Sequence, residues 1–213
     1  MTYIENVFVC MAAPLMVALL SLKRGQRAAL VFCLAGMGAC LLSAYLNTFF
    51  ARLYQADAVN AATQIAPVVE EIMKLLPLLF FLAVFEPTFA RFRLAAVIVA
   101  ASFATFENVC YLAENGAANF TFLLIRGISA GALHILCGIF TGFGISYLFR
   151  RRWLALTGTV GVLGACVGFH AIYNLLVTAQ GPWRTAGYLS PSLLITGLFL
   201  TKRVLLKRNI ALE

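Results

Sequence analysis

The sequence predicts an all-α polytopic membrane protein, a bundle of about seven transmembrane helices, and composition, run length and charge placement each point to it. Of 213 residues, 62% are hydrophobic and only 11% are charged, with a mean hydropathy of +0.93. Soluble globular domains do not reach such values. The apolar runs are near 20 residues long and are separated by short polar breaks. About 20 residues is what an α-helix needs to cross roughly 30 Å of hydrocarbon, whereas barrel strands would alternate over about ten. The net charge of +8 comes from basic residues that cluster beside the ends of apolar runs. There they act as topology signals and not as a nucleic-acid surface.

The expected spans are 4–22, 28–50, 65–85, 94–113, 123–149, 153–177 and 190–206. The whole chain, 1–213, reads as one transmembrane domain without linker or soluble module. Glu5 and Asn6 precede the first run and Lys23, Arg24 and Arg27 follow it. This lacks the basic start of a secretory signal, so the first segment is expected to remain as an anchor. Basic residues at 91, 93, 150, 151, 152, 202, 203, 207 and 208 fall, like the first group, in alternate connections and the tail, while the opposite connections hold only Arg52 and Arg184. The expectation is a multi-pass protein of the cell membrane, N-terminus outside and C-terminus cytoplasmic. The outer connections, near 51–64, 114–122 and 178–189, carry Asp57, Asn60, Gly116, Gly181 and Pro182, which suit turns. Glycines at 127 and 131, 138 and 142, and 161, 164 and 168 place small residues on single helix faces, as close packing in lipid requires. Pro67 and Pro77 flank an acidic pair in the third span, and Pro77 leaves the carbonyl of Met73 without its amide.

Four consecutive spans carry ionisable residues at depth: Glu70, Glu71 and Lys74, then Glu107, then His134, then His170. Each such group is disfavoured in a bilayer by roughly 2.5–3.5 kcal/mol and so faces the bundle interior, finds partners and serves a function. At the helical rise, Glu107 lies about 21 Å from Arg93, His134 about 24 Å from Arg150, His170 about 26 Å from Trp153 and Glu71 about 21 Å from Phe85. All reach one level in the outer half of the membrane although the helices alternate in direction.

Lys74 stands one turn from both Glu70 and Glu71 and offsets part of the charge of a carboxylate pair that would not stay doubly ionised when buried. One glutamate is thereby available as a base, and both remain candidates. Phe103 and Glu107 share a face with Asn108 beside them, and His170 and Asn174 share another, so that Asn174 is placed to orient the imidazole. Glu107 has no basic residue within four positions and needs a partner from another helix, for which His134 and His170 serve. Arg126, near the outer end of the fifth span, either snorkels to the headgroups or caps the mouth of the site and binds substrate.

The ordered set Glu70-Glu71-Ile-Met-Lys74, Phe103-Ala-Thr-Phe-Glu107-Asn108-Val-Cys-Tyr111-Leu, His134 followed by Gly138, Gly142 and Gly144, and Gly168-Phe-His170-Ala-Ile-Tyr-Asn174 resembles the PrsW family of intramembrane proteases. The similarity covers a core of about 65–177. It implies a membrane-embedded endopeptidase, distantly similar to the CAAX prenyl endopeptidase and Abi group, acting on membrane-anchored proteins such as anti-sigma factors near the extracytoplasmic face. The implied catalytic residues are Glu70, Glu71, Glu107, His134 and His170, supported by Lys74, Asn108, Asn174 and Arg126. The partners are a membrane-anchored protein substrate and the lipid bilayer, without nucleic acid.

Two hydrolytic routes fit these residues: a glutamate base activating water, with His and Asn stabilising the oxyanion, or a Zn²⁺ held among Glu71, Glu107, His134 and His170 that acidifies the water. No HExxH helix is present, and the balance leans to metal-free glutamate catalysis. Asp57 is the only aspartate, which excludes an intramembrane aspartyl protease, and neither the serines nor the cysteines show a partnered nucleophile. Six cysteines, none in a CxxC pair, read first as packing residues. Cys110, Cys137 and Cys166 nevertheless stand one turn from Glu107, His134 and His170, where a mixed thiolate site is geometrically open. The competing functions are a proton- or ion-coupled transporter using the same Glu/His layer and a catalytically silent scaffold. A single polar layer without a path to both faces, and without paired interrupted repeats, speaks against the transporter.

Overall fold

The computed structural model of the chain describes residues 3–23, 26–116, 119–149 and 152–210. Of the basic residues in the charge pattern, Arg24, Arg150 and Arg151 lie outside the described residues, as do the side chains of Arg152, Lys202, Lys207 and Arg208. Seven long helices account for the architecture, and no strand occurs among the described residues. They are α1 (Ile4–Ser21), α2 (Arg27–Leu53), α3 (Ala66–Phe85), α4 (Phe89–Asn115), α5 (Phe120–Leu148), α6 (Ala155–Thr178) and α7 (Pro182–Ile210).

Local chemistry sets the helix ends more than hydropathy does. Asp57 accepts the backbone amide of Asn60 and caps a helical turn, Ala58–Asn60, which runs through a wide π-type turn, Ala61–Ile65, into α3. Glu86, at a left-handed φ of 43°, ends α3, and Thr88 accepts the amide of Arg91 to start α4 three residues later. Gly116, at φ 74°, ends α4, and Asn119 caps α5 through the amide of Phe122. The largest departure from expectation is α7, which begins at Pro182 and not near 190. Gly181 turns at φ 65°, and Pro182, needing no amide partner, suits the first helical turn. Gly181 turns as expected, but Pro182, expected in the turn, already opens the helix.

Five helices, α1, α2, α4, α5 and α6, are long and apolar enough to cross a membrane. α3 is not among them because it carries Glu70, Glu71 and Lys74. The charges of α3 point inward, however. Val68, Ile72, Leu76, Phe80 and Val84 form an exposed apolar stripe at four-residue spacing while Glu71 and Lys74 are buried. Polar inside and apolar outside is the reverse of a soluble amphipathic helix and matches lipid as the surrounding solvent.

α4 sits at the centre. On one level Phe92, Ala95, Ala96 and Val99 pack with Leu75, Leu78 and Ile145, and further along Phe103 and Phe106 pack with Ala12, Met37, Ala39 and Cys40. The α4–α5 approach depends on missing side chains: a Cβ at Gly138 would stand 2.5 Å from Ala100 Cβ, and one at Gly142 3.2 Å from Arg93 Cα. Gly36 of α2 meets the Val99 carbonyl in the same way. The stripe Gly161, Gly164 and Gly168 differs, since a Cβ there would meet nothing within 4 Å. That part of the close-packing expectation is not fulfilled inside the described chain.

Candidate active site

Four helices deliver the polar side chains to one chamber. α3 supplies Glu70, Glu71 and Lys74 from its first half, α4 supplies Glu107 and Asn108 from its last turns, α5 supplies Arg126 and His134, and α6 supplies His170 and Asn174. Antiparallel neighbours of similar length bring the early part of one helix beside the late part of the next, so residues spread over about a hundred positions meet. The wall on one side is Phe103, fully buried, with its ring centroid 5.1 Å from both the His134 ring and Lys74 Nζ.

A continuous network of charged hydrogen bonds runs through it. Lys74 Nζ donates to Glu71 Oε1 at 2.7 Å and approaches His134 Nδ1 at 2.9 Å. His134 Nε2 stands 2.6 Å from Glu107 Oε2, whose other oxygen accepts from Arg126 at 3.2 Å. Arg126 also donates to Asn108 Oδ1 at 2.7 Å and lies 3.6 Å over the Tyr111 ring. Asn108 in turn donates to the Gly127 carbonyl at 3.3 Å. The guanidinium thus closes the chamber against Glu107 and does not snorkel away. On the far side His170 Nδ1 stands 2.9 Å from Glu71 Oε1 and its Nε2 3.8 Å from Glu70 Oε2. The two imidazoles meet edge to face, with centroids 5.1 Å apart.

Partner chemistry assigns the ring protons. An ionised carboxylate only accepts and an ammonium only donates, so His134 carries its proton on Nε2 toward Glu107 and offers a lone pair at Nδ1 to Lys74. By the same logic His170 donates from Nδ1 to Glu71, while its Nε2, 3.8 Å from Glu70 Oε2, makes no direct hydrogen bond. Both rings thus rest one nitrogen on a carboxylate, as metal-ligating histidines usually do, and turn the other toward the chamber.

Glu70, His134 and His170 each place one ligand atom within 4.8 Å of the others. One carboxylate and two imidazoles make the donor set of a catalytic Zn²⁺ site with an open position. These residues fit a metal, with Lys74 already occupying the His134 lone pair as a cation would. Sequence reasoning named Glu71 and Glu107 as ligand candidates beside the histidines. The structure brings Glu70 within ligand reach of both histidines and places Glu71 and Glu107 in hydrogen bonds to their ring nitrogens, a distinction that depends on helix rotation.

Asn174 has a different partner from the expected one. It donates to the Ala62 carbonyl at 2.7 Å and does not orient His170. The physical reason lies in the wide turn. The Ala66 amide bonds back to Ala61, and the next donor in that pattern would be residue 67, a proline, which leaves the Ala62 carbonyl free. Sequence reasoning missed Asn47 of α2, which donates to Glu70 Oε1 at 3.3 Å and keeps its own Oδ1 buried without a partner. Its one sequence signal is an amide inside the otherwise apolar run 28–50.

The description PrsW family intramembrane metalloprotease matches residues 25–201. No curated protein and no solved structure matches the chain. The family description carries a metal, contrary to the metal-free preference drawn from the missing HExxH helix. With the match spanning most of its length and all four helices of the chamber, the chain belongs to the PrsW family of intramembrane metalloproteases, membrane-embedded peptide hydrolases.

Proposed function

We propose that the protein cleaves membrane-anchored proteins, anti-sigma factors among them, near the extracytoplasmic face of the cell membrane, with the chamber activating a water molecule. The observation that carries this reading is the 3.8 Å gap between Glu70 Oε2 and His170 Nε2. At that distance the carboxylate oxygen and the imidazole nitrogen make no direct hydrogen bond, and a water or a cation between them would bridge both. A Zn²⁺ held by Glu70, His134 and His170 would supply a lowered water pKa and polarisation of the scissile carbonyl.

The protein groups have separate tasks. Without a metal, Glu70 would receive the proton released as water attacks, its Oε2 making no hydrogen bond, whereas with one the same oxygen would be a ligand. Glu71, held through Oε1 by both Lys74 and His170, orients that imidazole. Glu107 does the same for His134. The Lys74 ammonium stands beside the site as positive charge for the developing oxyanion. Arg126 closes the outer end, and Asn47 Oδ1 offers an acceptor to a substrate amide. The charge pattern of the connections supports an N-terminus outside and a chamber near the outer surface.

The test is incubation of purified protein with a labelled single-span substrate. Glu70→Gln abolishes cleavage, chelation removes it and Zn²⁺ restores it, while the helical circular dichroism is retained. Undiminished cleavage by Glu70→Gln would defeat the assignment, and cleavage indifferent to chelation would remove the metal from it.

A further inference from the structure

Three cysteines stand one helical turn from Glu107, His134 and His170, and the structure sorts them. Cys110 packs against the cluster that joins α1, α2 and α4, apart from the other two cysteines. Cys137 and Cys166 are buried and face each other across the α5–α6 contact, each sulfur near the other's backbone carbonyl at 3.9 and 3.7 Å. Thr141 Oγ1 lies 3.5 Å from Cys166 Sγ. A carboxylate oxygen of Glu71 and the two sulfurs lie within 4.8 Å of one another. Beside them is a small cavity of about 10 Å³, lined by Glu71, Lys74, Cys137 and Thr141 among others, which is room for about one water or ion.

We propose that Glu71, Cys137 and Cys166 form a second cation site, separate from Glu70, His134 and His170, for a thiophilic divalent ion such as Zn²⁺ or Cd²⁺. Thiolate ligands select such ions. Bonds of about 2.0–2.3 Å set neighbouring donors of a tetrahedral site roughly 3.3–3.8 Å apart, so the three atoms need close by only about an ångström. Thr141 or a water in the cavity completes the fourth position. The charge balance suits the membrane: one divalent cation enters as two thiol protons leave, the metal–sulfur bonds replacing the sulfur–hydrogen bonds. The Glu71–Lys74 pair keeps its compensation, so no net charge is added to the bilayer.

The two sites share Glu71. A cation bound to this carboxylate competes with Lys74 and with His170 Nδ1, both of which rest on Glu71 Oε1. Occupancy therefore loosens the His170 ring and inhibits the enzyme, a consequence that rests on the hydrolytic reading above, although the binding itself does not.

The experiment is a Cd²⁺ titration of the detergent-purified full chain, followed by the ultraviolet sulfur-to-cadmium charge-transfer band, to which a Glu/His site does not contribute. A band saturating at an equimolar amount is expected. It persists in the variant with Cys10, Cys33, Cys40 and Cys110 all changed to Ala and in Glu70→Gln, and it is lost in Cys137→Ala/Cys166→Ala. No band in the wild-type chain, a band that survives the double substitution, or failure of both thiols to alkylate in the unfolded, unreduced protein because they are disulfide-linked overturns the site. In the cleavage assay Cd²⁺ inhibits the wild type, and the double variant escapes that inhibition. Equal inhibition of both overturns the shared role of Glu71, whereas a full band in protein that never cleaves supports the metal site and defeats the hydrolytic reading instead.

Discussion

The centre of the chamber and the apolar level next to it are built from largely the same helices and are similarly buried, yet they are held together in opposite ways. In the apolar level Leu75, Leu78, Phe92, Ala95, Ala96, Val99 and Ile145 interlock by shape. One turn away, Glu71, Lys74, His134 and His170 are buried to the same degree but held by directional bonds of 2.7–2.9 Å. Packing tolerates many sequences of similar volume, while a charged network tolerates almost none, because each member left without its partner is a buried uncompensated charge. The upper level is therefore shaped for chemistry and the lower one for stability, and the two should separate experimentally.

The largest expected effect is on activity alone. Glu70→Gln, which keeps the shape and the Oε1 acceptor of Asn47, should lower cleavage by roughly 10²–10⁴-fold, with the thermal midpoint nearly unchanged. Phe92→Ala, at a fully buried position, should do the reverse, costing about 3–5 kcal/mol of stability while each folded molecule keeps its turnover. Thermal melts read beside cleavage rates distinguish the two, and a common response of both variants would erase the contrast.

Lys74→Met tests whether the chamber also carries stability. It strips the cation from Glu71 and His134 and should cost about 3–5 kcal/mol, because a buried carboxylate loses its partner. Adding Glu71→Leu should recover most of that stability without recovering cleavage. A double variant as unstable as the single one would show that the network behaves as a packed core.

Smaller effects sharpen the packing side. Gly138→Ala pushes a methyl to 2.5 Å from Ala100 Cβ and should cost about 1–3 kcal/mol by overpacking. Gly164→Ala meets open space and should be neutral, or stabilise by up to about 1 kcal/mol through helix propensity. Asn174→Ala, which frees the Ala62 carbonyl, should cost about 1 kcal/mol and displace the start of α3, seen as faster amide exchange near residue 66. If Asn174→Ala instead shifts the pH profile of cleavage, the residue acts on His170 after all.

Much of the fold was legible because the bilayer imposes a length and a polarity on each helix. The first six helices lie close to the expected runs, with ends differing by up to five residues where caps such as Thr88 and Asn119 overrule hydropathy. The seventh was misjudged by eight residues because a proline reads as a turn whether it ends one or opens a helix. Within the site, the polar residues were legible as a set, since each stands out in an apolar run. Their pairings were not: Glu70 and Glu71 differ by about 100° of helix rotation, and nothing along the chain says which of them faces the histidines. Asn47 was overlooked for a related reason, being a neutral amide on a helix with no other sign of function.

The sequence by itself determined that the chain forms apolar helices and that four of them carry ionisable groups at a matching depth, because rise per residue and the cost of burying charge are local properties. Tertiary structure alone decided that Glu70 opposes His170 across an open gap, that Glu71 and Glu107 each bond one of the two imidazoles, that Asn174 serves a carbonyl orphaned by Pro67, and that Cys137 and Cys166 converge on Glu71. Those contacts depend on how each helix is rotated about its own axis and how closely neighbours approach. Glycine contacts and side-chain packing throughout the bundle fix both, and no single segment encodes them.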